Sequence, residues 1–139
     1  MYIKPLHPNF KLPTRGSEDA GAYDIYMPES GVCNGTPKQV GLGFATAIPA
    51  GYVALVLPRS GVGSRVGIEL NNTCGVIDAD YRGEWFATLK TKSGIPYSWS
   101  AGERLLQFIL VPVAKIDLYP LDELPSTERG EGGLGSTGK

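Results

Sequence analysis

An all-β barrel or sandwich is the fold class this chain predicts, and three observations predict it. Glycine and proline make up 19 and 11 of the 139 residues, so punctuation recurs too often for long helices. No long segment carries an apolar stripe at helical spacing. Several short segments alternate, or are rich in branched and aromatic residues, and turn signals separate them, which is the pattern of many short antiparallel strands.

Taken in order, PLHPNF (5–10) follows a first strand, and GAYDIY (21–26) is a second strand-like stretch that sets Asp24 between aromatics. PESGVCNGTPK (28–38) reads as a loop. GFATAIPAGYVALVLP (43–58) holds two β pieces split by the turn signal PAG, and WFATLKTKS (85–93) alternates. RLLQFILVPVAKIDLY (104–119) is β-rich with a break at Pro112. Domain organisation follows: residues 1–125 form one all-β core, and 126–139 form a glycine-rich arm too flexible to fold alone.

Bulk properties exclude several function classes. Fourteen acidic residues nearly cancel thirteen basic ones, for a net charge of −1, so a nucleic-acid binder working through bulk charge is not expected. No apolar run is long enough to cross a bilayer. The two cysteines, Cys33 and Cys74, form no CxxC, and the N-terminus lacks the basic-then-apolar form of a signal peptide, so reduced thiols in a cytoplasmic compartment are expected. With His7 as the one histidine, any acid–base chemistry must fall to carboxylates. A domain this small exposes a large share of its surface, which favours oligomerisation.

Five stretches could carry chemistry. In GVIDADYRGEW (75–85), Asp78 and Asp80 share a face if the strand persists, and like charges so placed need a partner, a metal or a job. Arg59, Ser60 and Gly61, after the apolar VALVL, fall where a strand ends; they offer a planar fork, a hydroxyl donor and a close backbone approach. A capped turn with a surface arginine explains them equally well. Gln107 in GERLLQF (102–108) is either a satisfied core amide or a ligand contact. Asp24 can pair with an arginine. RGEGGLGSTGK (129–139) supplies an arginine, freed amides and two hydroxyls suited to a polyphosphate, yet it is not a Walker loop.

All these stretches, in this order, resemble the trimeric dUTPases. PRSG with the following GI, GVIDADYRGE, GERLLQ and RGEGGLGSTG are similar to the family's second to fifth motifs, and DAGAYDI to its first. The resemblance implies a distorted, jelly-roll-like (β-clip) barrel, a homotrimer with shared sites, and hydrolysis of dUTP to dUMP and pyrophosphate, limiting uracil in DNA and supplying dUMP. By the same resemblance Asp78 is the general base, Tyr81 packs on the deoxyribose, and Asn72 with the hairpin at Gly75 and Val76 reads the uracil edge. Arg59, Ser60, Gly61 and Gln107 contact phosphates, and Asp24 helps order Mg2+ through water. Arg129, Leu134, Gly135, Ser136 and Thr137 close over the nucleotide from a third subunit. Asp80 is assigned to bracing the DYRG turn, which Gly83 ends.

Two departures stand out. Leu134 occupies the place of the family's usual phenylalanine, which forfeits ring stacking worth about 1 kcal/mol. DAGAYDI also carries one residue more than is common between DAG and the aspartate. The competing expectations are a dCTP deaminase relative and a dUTPase-like regulatory module that binds a protein partner through the 28–38 loop. A eukaryotic or viral source would extend the compartment to the nucleus or host cytoplasm.

Overall fold

The computed structural model describes residues 1–133, which form twelve short strands and one short helix. In chain order these are β1 (Tyr2–Pro5), β2 (Thr14–Arg15), β3 (Tyr23–Tyr26), β4 (Gly31–Cys33), β5 (Lys38–Gly41), β6 (Phe44–Ala47) and β7 (Tyr52–Pro58). They continue with α1 (Ser60–Arg65), β8 (Ile68–Leu70), β9 (Gly75–Ile77), β10 (Phe86–Thr91), β11 (Tyr97–Trp99) and β12 (Arg104–Pro112). All pairings are antiparallel. The largest sheet runs β2-β3-β12-β7-β9, beside β5-β10-β8 and the pairs β1-β6 and β11-β4. This is the jelly-roll-like all-β architecture expected.

The strands between 43 and 58 divide where PAG predicts. Tyr52 donates its amide to the Pro49 carbonyl at 3.2 Å, and Gly51 takes φ +85, a region costly for residues with a Cβ. β10 buries alternate residues, with Ala87, Leu89 and Thr91 inside. Between the sheets, Trp85, Phe44 and Phe108 are almost wholly buried. Their rings meet at 5.0 Å (Phe44 to Trp85) and 5.3 Å (Trp85 to Phe108). The Trp85 indole N–H donates to the Thr46 hydroxyl at 3.1 Å, so the one polar atom of the largest core side chain is satisfied.

Two expectations are corrected. Residues 28–38 are not wholly a loop, because β4 pairs Gly31, Val32 and Cys33 with Trp99, Ser98 and Tyr97. Gly31 is the reason such a strand can sit there: a Cβ on it would come within 2.7 Å of the Trp99 ring, and no local alternation announces so short an element. Nor does the strand persist through Asp78 and Asp80, since β9 ends at Ile77 and the Tyr81 amide closes a turn onto the Asp78 carbonyl at 3.2 Å. The shared-face argument for the two carboxylates therefore fails.

Both cysteines are free; Cys33 is buried and Cys74 partly so. Burial pushes the Cys33 thiol up, against a smaller opposing pull from Lys38. Among the described residues no helix is long and apolar enough to cross a membrane. Past Pro112 the described residues hold no strand or helix, and 113–131 are exposed, with Ile116, Leu118, Tyr119, Leu121 and Leu124 each at least 67 % exposed.

Candidate active site

The β8–β9 hairpin and the turn after it build a cleft of about 270 Å³ lined by Asn72, Gly75, Val76, Ile77, Asp78, Tyr81, Glu84 and Phe86. The chain enters through a strained corner. Thr73 has φ +68, unfavourable for a β-branched residue, and the Asn72 side-chain amide donates to the Cys74 carbonyl at 3.0 Å. That bond consumes one donor and leaves the Asn72 carbonyl oxygen available to a ligand. Gly75 sits close under the neighbouring strand, since a Cβ would stand 3.2 Å from Val56 and need that side chain to give by a few tenths of an ångström.

The turn then presents Asp78 and Tyr81. The Asp78 side chain is exposed at the cleft wall. The Tyr81 hydroxyl donates to the Glu84 carbonyl at 3.0 Å, which lays the ring over Gly83, where a Cβ would meet the ring at 2.6 Å. Asp80 does not brace this turn: it is exposed, and among the described residues its carboxylate has no hydrogen bond or ion pair. Arg82 does so instead, donating to the carbonyls of Ala79 at 2.7 Å and Tyr81 at 3.0 Å. The free groups of this turn are carbonyls, which need a donor that a carboxylate lacks. Gly83→Ala is expected to lift the Tyr81 ring and raise KM for dUTP roughly tenfold with little change in melting temperature; steady-state kinetics beside thermal unfolding checks this.

A second group gathers at the far end of β7. Asp24 on β3 is 7 % exposed. It accepts from Arg59 Nε at 2.8 Å on one oxygen and from Arg104 Nη1 at 3.1 Å on the other. Arg59 Nη1 also donates to the Arg104 carbonyl at 3.2 Å, so the guanidinium is held at two points and keeps its remaining N–H groups for a ligand. Ser60 and Gly61 open α1, with Arg59 as the residue before it; the Val62 and Gly63 amides donate to the Arg59 carbonyl at 3.1 and 2.8 Å, while those of Ser60 and Gly61 precede any helical partner. Gln107 lies opposite Asp24 on β12 and donates to the Pro58 carbonyl at 3.2 Å.

The structure thus brings the predicted residues together as two clusters. Asn72, Gly75, Val76, Asp78 and Tyr81 share one cleft; Asp24, Arg59, Ser60, Gly61 and Gln107 gather at the other. Arg129 joins neither through a hydrogen bond: it is exposed, and its Nε donates to the Gly132 carbonyl at 2.9 Å. Leu134, Gly135, Ser136 and Thr137 lie outside the described residues. Sequence reasoning missed Arg104, Glu84 and Phe86. The first sits inside GERLLQ and the second inside GVIDADYRGE, but nothing in either motif names the partner across the fold. Beyond Asp78 a broader groove of about 790 Å³ opens, lined in part by Tyr52, Val53, Asp80, Arg82 and Lys115.

Comparison with known proteins accords with this geometry. The dUTPase family model matches residues 8–138. The deoxyuridine 5'-triphosphate nucleotidohydrolase of Dictyoglomus turgidum is 40 % identical over 144 residues, covering 99 % of this chain and 97 % of its own. Among solved structures, the Staphylococcus bacteriophage 80alpha dUTPase with dUpNHpp superposes with a TM-score of 0.89 at 29 % identity, covering 99 % of this chain and 98 % of the other. A mutant dUTPase from phage phi11 of S. aureus, described for its coordination of a structural Mg(II) ion, has a TM-score of 0.79 at 25 % identity, covering 88 % of this chain and 96 % of the other. With its fold, its cleft and a family match that spans nearly its whole length, this chain belongs to the dUTPase family.

Proposed function

We propose that the chain is a dUTP diphosphatase, hydrolysing dUTP to dUMP and pyrophosphate. Its relatives are nucleotidohydrolases of this substrate, and a structural neighbour carries a dUTP analogue. The observation that carries the reading to individual residues is the convergence of Asn72, Gly75, Val76, Asp78 and Tyr81 on one cleft. Asn72 and the hairpin backbone read the uracil edge, where cytosine's reversed donor and acceptor would leave polar groups unpaired. Tyr81, pinned at its hydroxyl, walls the deoxyribose. Asp78 accepts a proton from a water aligned with the α-phosphorus; the new P–O bond forms as the bond to the bridging oxygen breaks, and pyrophosphate leaves.

Arg59, Ser60, Gly61 and Gln107 take the phosphate oxygens. The register of β7 supports a site divided between chains. Ala54 pairs with Ile77, so Asp78 stands level with Val53, whereas Arg59, just past the end of β7, lies six residues further along the chain. That is about 20 Å at strand spacing, beyond the reach of one triphosphate. A homotrimer resolves the mismatch: the groove beyond Asp78 has room for a neighbouring copy's Arg59 turn, and the exposed apolar residues from Ile116 to Leu124 gain cover from a second chain. Residues 126–139 then serve as the arm that closes a neighbour's site, with Arg129 at the γ-phosphate and Leu134, Gly135, Ser136 and Thr137 assisting.

Magnesium fits as a passenger of the substrate. Among the described residues no group of three His, Cys, Asp or Glu could hold a metal, and both Asp24 oxygens already accept from arginines, so Asp24 can reach an ion only through water with its remaining lone pairs. When bound to the triphosphate, Mg2+ neutralises charge and fixes the oxygens for in-line displacement. Two free thiols suit a cytoplasmic enzyme. A regulatory protein partner would find its surface around Val32, exposed on β4.

The test is pyrophosphate release from dUTP with Mg2+, beside dTTP, dCTP and UTP. Hydrolysis confined to dUTP is expected, and ammonia from dCTP would overturn the assignment. Co-expression of Asp78→Asn with Arg59→Ala tests the division of the site. Each variant alone should be nearly inactive, while mixed trimers should recover activity in about a third of their sites. No recovery in verified mixed trimers would place both residues in one chain's site.

A further inference from the structure

Glu84 joins the cleft to the core from both of its ends. Its Oε1 accepts from the Gly43 amide at 3.0 Å, and its backbone carbonyl accepts from the Tyr81 hydroxyl at 3.0 Å. Gly43, with φ +78, turns the chain between β5 and β6. The same corner grips the next residue: the Leu42 amide donates to the Trp85 carbonyl at 2.8 Å, and the Trp85 amide donates to the Phe44 carbonyl at 2.9 Å. Trp85 is fully buried, but Glu84 is exposed and lines the cleft. Its carboxylate is thus spent on holding a corner rather than on filling the core.

We infer that Glu84 is a positioning residue for sugar discrimination: its carboxylate locks the Gly41–Gly43 corner, and its carbonyl holds the Tyr81 ring where a 2′-hydroxyl would have to fit. The inference rests on the reading of Tyr81 as the deoxyribose wall. A ring anchored at one point through its hydroxyl is only as well placed as the carbonyl it donates to, and a small displacement opens space for one oxygen atom. Gly41 supplies an independent handle. A Cβ there would stand 2.6 Å from Glu84 Oε1 and 3.2 Å from its Cδ, so Gly41→Ala pushes the carboxylate aside through its flexible end without deleting it.

The experiment measures kcat/KM for dUTP and for UTP, with melting temperatures, in the parent, Glu84→Ala, Glu84→Gln, Gly41→Ala and Tyr81→Ala. Glu84→Ala and Gly41→Ala are expected to lower the dUTP-to-UTP ratio roughly three- to tenfold, mainly by admitting UTP. Glu84→Gln keeps an acceptor for the Gly43 amide and should retain the parent ratio. If Tyr81→Ala relaxes the ratio while Glu84→Ala and Gly41→Ala leave it unchanged, the positioning role fails and the Tyr81 reading stands. An unchanged ratio in Tyr81→Ala sinks both. Equal losses on the two substrates that follow the melting temperature would make Glu84 structural only, with Gly41→Ala deciding should Glu84→Ala not fold. A Glu84→Gln variant that loses the ratio would remove the bond to Gly43 as the cause.

Discussion

Asp78→Asn is expected to lower kcat for dUTP about a thousandfold, the middle of the range for loss of a positioned general base, while the affinity for dUTP changes little. Asparagine preserves the shape and the exposed position of Asp78 on the cleft wall, so binding by Asn72, Tyr81 and the hairpin should survive. What it lacks is a basic oxygen for the proton of the attacking water. Pyrophosphate release and calorimetric binding of dUTP, measured on the same preparation, separate the two effects. Asp80→Asn is the comparison: its carboxylate makes no hydrogen bond or ion pair among the described residues and lines the groove beyond Asp78 rather than the 270 Å³ cleft, so its loss should be far smaller than that of Asp78→Asn. A loss under tenfold in Asp78→Asn would reassign the base.

Asp24→Asn should produce the second largest effect, on stability and catalysis together. The carboxylate is 9 % exposed and its two arginines 33 % and 42 %. Breaking a fully buried ion pair costs roughly 3–5 kcal/mol, but arginines exposed to this degree regain water, so about 2 kcal/mol is expected. Urea unfolding at one fixed protein concentration measures it. The activity loss has a geometric origin, because the 2.8 Å bond to Asp24 aims the Arg59 guanidinium. With that bond weakened, kcat/KM for dUTP should fall roughly a hundredfold. A stability loss without a kinetic one would show that Arg59 holds its aim through the Arg104 carbonyl alone.

The two variants also probe different connections. Asp78 belongs to a segment whose members are sequence neighbours, and Asp24 to one assembled from β3, β7 and β12. On the proposed division of the site along β7, these two groups would report on a complete site only in an assembly of chains. Loss of activity on dilution, with each chain still folded, is the expected companion of that arrangement.

Local order alone determined much of this protein. The strands on either side of PAG, the alternation of β10 and the turn signals follow from period and punctuation within a few residues. The residues of the cleft from Asn72 to Tyr81 came from the family resemblance, and they lie together because they belong to one hairpin and the turn that follows, where spacing along the chain is nearly spacing in the fold. Tertiary structure decided the rest. Asp24 finds its arginines 35 and 80 residues away, Glu84 meets Gly43 across 41 residues, and β4 exists because β11 supplies its hydrogen bonds. The end of β9 at Ile77, which separates Asp78 from Asp80, was likewise settled when the turn onto the Asp78 carbonyl replaced further pairing with β7. The physical reason is common to the first three. A hydrogen bond or ion pair between distant segments depends on which donor and acceptor the packed sheets bring within 3 Å, and no local pattern of residues encodes that meeting.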